Sequence, residues 1–257
     1  MSLNYFSNFL SRDICYTEDS VNRDFSLKKI FTIVLFFTLM SMQSQTTFTS
    51  VQSGNYTDPA TWGTTSAPTS NDDVIISSGN TVTLDDVLTI KNVNISGSLE
   101  SSDASLEFVV TGNLTVNLGG LFKGIYYFDA GTFGYNKGIQ LSVAGNITNN
   151  GSIDLSDGSS YNPEGVLNLN GTAVQTVSGI GTFGGTLYTT DNTNTGAVIN
   201  QLIINNTSSV SPNIIWGFSN IKIKSSITLT SARIELGTNK MTIGNYSNSN
   251  TISTAVI

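Results

Sequence analysis

The sequence predicts an all-β fold, and within that class a right-handed parallel β-helix with an N-terminal cap, preceded by a signal-peptide helix. Three observations predict it. From residue 74 onward the apolar residues alternate with polar ones in short runs ended by Gly, Asn, Asp or Ser. Short phrases recur along the chain, Gly112-Asn113-Leu114-Thr115 returning as Gly145-Asn146-Ile147-Thr148. The composition is polar and sparsely charged, with only 11% charged residues and 24 glycines in 257. A polar chain of that kind suits a fold whose outward positions are hydroxyls and amides.

The chain opens with a leader. Lys28 and Lys29 precede an uncharged apolar run over residues 30–40, and Ser41-Met42-Gln43-Ser44-Gln45 follows. A basic flank, a short apolar core and small polar residues read as a secretory signal peptide. The run is too short to span a bilayer, which needs about 20 apolar residues. Residues 1–26 carry Asp13, Glu18, Asp19 and Asp24, unlike a basic leader. They read as a mis-assigned extension of a leader that starts at Leu27. Cleavage near Ser44 or Gln45 leaves an exported chain over 46–257 with no cysteine, since Cys15 lies upstream. Arg12, Arg23, Lys28 and Lys29 leave with the leader, as do four acids. The exported part therefore keeps the whole net charge of −7.

The strands follow in order. Val74-Ile75-Ile76, Thr81-Val82-Thr83-Leu84, Leu88-Thr89-Ile90, Val93-Asn94-Ile95 and Leu106-Glu107-Phe108-Val109-Val110 are β-branched and alternating. Later runs are Ile227-Thr228-Leu229, Ile234-Glu235-Leu236 and Met241-Thr242-Ile243. Stacked coils would place Val, Ile and Leu inside at a spacing of about 4.8 Å, with Asn and Gly at the corners. A β-sandwich also uses many short strands. The repeated inward pattern and the scarcity of hairpin signals favour the β-helix. The run after residue 251 ends without a cap, which reads as a piece of a longer protein.

Composition excludes several chemistries. The chain has no histidine, which removes Ser-His-Asp catalysis and His-ligated metals. One cysteine cannot build a disulfide framework. An acidic chain with 11 Lys and Arg offers no phosphate-binding face, so no nucleic-acid partner is expected. An exported, acidic, cysteine-free chain rich in Ser, Thr and Asn points to secretion or the outer surface of a bacterium.

One stretch resembles a known family. Gly54-Asn55-Tyr56-Thr57-Asp58-Pro59-Ala60-Thr61-Trp62 leads to Ala67-Pro68-Thr69, Asp72-Asp73-Val74-Ile75-Ile76 and Gly79-Asn80-Thr81-Val82-Thr83-Leu84-Asp85. These phrases resemble the opening of the eight-glycine domain, a β-strand module of large extracellular proteins, at the N-terminus of bacterial surface β-helix proteins of adhesin type. The resemblance implies an eight-glycine-like portion over 46–123, further coils over 124–257, an extracellular location and contact with polysaccharide. It carries over no catalytic residue.

Candidate sites are few. Tyr126, Tyr127, Phe128, Phe133 and Tyr135 crowd into one Gly-flanked segment with Phe122. They could stack on sugar rings, or fold over the coil as a small satellite core. Asp154 and Asp157 lie three apart in a loop that could hold calcium through oxygen ligands, though the twelve-residue calcium spacing is lacking and solvated turn residues are the simpler reading. Asp72 and Asp73 read as turn caps on nearby amides. Trp62 and Pro68 read as structural anchors of the cap, and no catalytic residue is assigned. The sequence thus points to a non-catalytic, adhesin-like structural protein whose partners are polysaccharide or other surface proteins. Its rivals are a glycan-binding module and a polysaccharide lyase or hydrolase.

Overall fold

The computed structural model describes residues 45–102, 106–124, 139–155, 165–184, 198–218, 221–230, 232–243 and 250–253. The described chain starts with β1 (Thr47–Thr49), β2 (Gly54–Asn55) and a single helical turn, α1 (Pro59–Trp62). Five triplets of strands follow. They are β3 (Asp73–Ile76), β4 (Thr81–Leu84), β5 (Leu88–Ile90); β6 (Asn92–Ile95), β7 (Ser98–Ser101), β8 (Glu107–Val110); β9 (Leu114–Val116), β10 (Leu121–Lys123), β11 (Gln140–Val143); β12 (Ile147–Asn149), β13 (Ser152–Asp154), β14 (Val166–Leu169); and β15 (Gln175–Ser178), β16 (Thr182–Phe183), β17 (Val198–Ile204). The chain continues with β18 (Ile214–Trp216), β19 (Ile221–Leu229), β20 (Ile234–Glu235), β21 (Lys240–Ile243) and β22 (Asn250–Ser253).

Successive strands go to different sheets. The first sheet runs β1-β3-β6-β9-β12-β15-β18-β20. The second runs β2-β4-β7-β10-β13-β16, and the third β5-β8-β11-β14-β17-β19-β21-β22. All neighbours pair in parallel except β21 and β22, where Met241 faces Ile252 in an antiparallel pair. Each triplet is one circuit through the three sheets. The second sheet stops at β16, so among the described residues the last two circuits visit only the first and third.

The alternation read from the sequence sets which residues go inside. Burial along β3, β4, β6 and β7 alternates half-buried and buried, one residue at a time. Parallel register then aligns the buried ones into columns. In the first sheet Phe48, Val74, Val93, Leu114, Ile147, Val177 and Trp216 pair in series. In the second, Val82, Leu99, Phe122, Ile153 and Phe183 do so. In the third, Phe108, Leu141, Leu167 and Leu202 continue the pattern, and the half-buried Ile227 extends it. Phe108 of the third sheet stacks on Phe122 of the second at 5.8 Å, so the sheets share one interior. Each fully buried aliphatic or aromatic side chain in these columns contributes about 1.5–3 kcal/mol.

The N-terminal end is closed by α1 and its neighbours. Asp58 accepts the Ala60 N–H at 2.9 Å, Pro59 starts the turn with its fixed φ, and Gly63 ends it at φ 63°. The turn buries Thr61 and Trp62. Trp62 packs edge-on against Tyr56 and Phe48, and its Nε1 donates to the Tyr56 carbonyl at 2.8 Å. Pro68 is also buried.

Candidate functional site

The corner between the third and first sheets carries an asparagine ladder. The Asn113 N–H donates to Asn92 Oδ1, Asn146 N–H to Asn113 Oδ1, and Thr176 N–H to Asn146 Oδ1, each at 2.8 Å. The steps span 21, 33 and 30 residues, one circuit each. The glycine before Asn113 and before Asn146 has its own reason. The Gly145 N–H donates to the Gly112 carbonyl at 2.8 Å. A Cβ on Gly145 would lie 2.3 Å from that same oxygen. The repeated Gly-Asn phrase is therefore a close backbone approach followed by a side-chain acceptor. Asn113 and Asn146 are exposed, and Thr115 and Thr148 beside them are half-buried. The outward face of β9 and β12 is thus amide and hydroxyl, with no charge.

A second cluster sits where the described chain begins. Gln45 Nε2 donates to Asp73 Oδ2 at 2.6 Å, and Lys91 Nζ donates to Gln45 Oε1 at 2.5 Å. Asn92 Nδ2 holds the other Asp73 oxygen at 2.7 Å. Asp72, next door, accepts the Thr46 N–H on Oδ1, and the Thr69 N–H and hydroxyl on Oδ2. Burial pushes the Asp72 carboxyl up, but the hydrogen bonds from Thr69 and Thr46 outweigh it and hold the group below the ordinary aspartate value. Burial, and then the Asp72 carboxylate, push the nearby Tyr56 phenol far up, so it stays neutral. The sign of the pH effect follows. Asp72 binds its proton more weakly folded than unfolded, so its contribution is present above the unfolded pKa and is lost as pH falls through the folded one. Melting curves of the protein and of Asp72→Asn should differ near neutrality and converge below the normal aspartate range. A difference that persists in acid would count against this cap.

A third cluster is buried. The Gln175 side chain is 1% exposed and that of Asn206 is fully buried. Gln175 Nε2 donates to the carbonyls of Val143 and Gly145, while Oε1 accepts from the Gly171 N–H and from Asn206 Nδ2. These bonds tie strand ends of three successive circuits together. Asn149 is likewise fully buried, beneath the aliphatic column of Ile76, Ile95 and Val116, and its Nδ2 donates to the Thr182 carbonyl.

The residues singled out from the sequence fall as follows. Tyr126, Tyr127, Phe128, Phe133, Tyr135 and Asp157 lie outside the described residues. So does the leader up to Ser44. Phe122, grouped with those aromatics by its place in the chain, is fully buried in β10. Asp154 is 4% exposed and closes β13, paired in register with Lys123 of β10, which pairs in turn with Glu100 of β7. Acid, base and acid thus alternate up one column, an arrangement that favours pairing across strands. Among the described residues no group of three or more Asp, Glu, Cys or His could hold a metal ion, and no helix is long and apolar enough to cross a membrane. Trp216, ambiguous in the sequence, is buried against Phe183. The Gln45, Gln175 and Asn206 clusters were not read from the sequence. A polar residue in a short run looks like an outward position, and only the register shows otherwise.

Comparison with known families matches residues 61–180 to the G8 domain, an extracellular-type domain. The match extends beyond the 46–123 portion on which the resemblance rested. No curated protein and no solved structure matches the chain.

Proposed function

We infer that residues 46–257 form a right-handed parallel β-helix with an N-terminal cap, carried by a protein secreted or held at the outer surface of a bacterium. Its role is structural and adhesin-like. It presents a stiff, uncharged, repetitive polar face rather than a reaction centre. The observation that carries this reading is the cyclic order of strands through three parallel sheets, with apolar columns inside. That order satisfies each backbone by the circuit before and after it, and stability then adds circuit by circuit. The match to an extracellular-type domain supports export, and the basic flank and apolar run over residues 28–40 supply the signal. The outward Asn and Thr of β9 and β12 offer hydrogen bonds to a neutral polymer or a surface protein.

The test is an assay on the exported protein with extracellular polysaccharides. Neither new reducing ends nor the ultraviolet absorbance of new double bonds should appear, while cells lacking the chain should adhere less. Turnover in either assay would replace this reading with a lyase or hydrolase. Binding lost on Tyr126→Ala with Tyr127→Ala would replace it with the glycan-binding module.

A further inference from the structure

We propose that removal of the leader after Ser44 exposes Gln45 as the N-terminal residue, and that Gln45 then closes on itself to pyroglutamate in the grip of Lys91 and Asp73. The inference rests on the secretory reading and goes one chemical step beyond it. The compact unit begins at Gln45, within the small polar stretch that follows the apolar run. The next residue is already fixed. The Thr46 carbonyl accepts the Asp73 N–H at 2.9 Å, and the Thr46 N–H donates to Asp72 at 3.0 Å. Cleavage at this bond would free an α-amine one residue from an anchored strand.

The side chain it would attack is held at both ends of its amide. The Lys91 ammonium sits on Oε1, and the Asp73 carboxylate on Nε2. A cation on the carbonyl oxygen draws electron density from Cδ and stabilises the negative charge that develops there on attack. A carboxylate at the amide nitrogen is placed to relay the proton that the amine loses to the departing nitrogen. The α-nitrogen bonds to Cδ, the Cδ–Nε2 bond breaks, and ammonia leaves with that proton. Nothing is oxidised, and no water or second reactant is consumed. Asn92 holds the second Asp73 oxygen at 2.7 Å, so the carboxylate is positioned rather than loose. The product keeps a carbonyl for Lys91 and carries no charge at the N-terminus.

The experiment is mass spectrometry of the N-terminal peptide of the exported protein, with chemical sequencing from the N-terminus. The peptide should begin at Gln45, be lighter by one ammonia, and resist sequencing. Lys91 is exposed, so Lys91→Met should fold, and in it freshly exported chain should close roughly tenfold more slowly, a smaller loss than in a water-free oxyanion site. Asp73→Asn, checked for folding by circular dichroism, should slow closure as well. A peptide starting at an unmodified Gln45, a mature chain starting elsewhere, or closure equally fast in both variants would overturn the proposal. Export of a chain that has lost the apolar run over residues 30–40 would leave the secretory reading standing in each of those cases. An exported chain that retains the leader would defeat both.

Discussion

Gly145→Ala should lower the thermal midpoint by about 6–12 °C, the consequence of a loss of about 3 kcal/mol in a domain of this size. The added Cβ would sit 2.3 Å from the Gly112 carbonyl oxygen, 2.5 Å from its carbon and 2.6 Å from Asn113 Oδ1. Two of those atoms are backbone, so no side chain can swing away to make room. Strands β9 and β12 must part at that corner. The bonds from the Gly145 N–H to Gly112 and from the Asn146 N–H to Asn113 are then strained or lost. Gly119→Ala is the matched control. Its Cβ meets nothing within 4 Å, but its φ of 82° disfavours a side chain, so it should cost only about 1–2 kcal/mol. Melts followed by circular dichroism decide the order. A larger loss at Gly119 than at Gly145 would show that close approach between circuits is not what fixes the glycine.

Gln175→Leu should destabilise by about 3–5 kcal/mol, although it adds apolar surface to the interior. The substitution leaves the Gly171 N–H without its acceptor and takes the side-chain donor from the Gly145 carbonyl, while the Val143 carbonyl keeps only the Asn170 N–H. Each buried group so orphaned costs about 1–3 kcal/mol. Asn206 keeps its bond to the Ala173 carbonyl when Gln175 is replaced, whereas Asn206→Ala loses that bond, the bond to Gln175 and the acceptor of the Ser208 N–H, so it too should destabilise. The two effects should not add, because the side chains share a bond. Denaturant unfolding of the single and double variants measures this directly. Strict additivity would mean that the two amides act separately.

Much of the fold can be read from residues 74–123, where alternation is clean and each run is bounded by a turn residue. Val74, Val93 and Leu114 fall in one column. The repeat of Gly112-Asn113-Leu114-Thr115 at 145–148 is a true structural step, with Leu114 paired to Ile147 and Thr115 to Thr148. The pattern fades later because circuits differ in length and polar residues go inside. Asn149 lies in the column of Ile76, Ile95 and Val116, and alternation alone would place a leucine there. Phe122 sits among other aromatics in the chain, yet its register with Leu99 and Ile153 sends it inward. The two strands before α1 are too short to show any period, and β22 turns back antiparallel where another parallel run was expected. Candidate-site chemistry was harder to read than the fold. The bonds of Gln45 span 28 and 46 residues, a distance that linear spacing does not display.

The asparagine ladder has a direction. Each acceptor belongs to the earlier circuit, and each donor to the one that follows. A polypeptide threaded across a membrane with its amino end leading would therefore find every template already in place when the next segment emerges. Its partners lie only a few tens of residues back, so assembly can keep pace with translocation and need not wait for the carboxyl end.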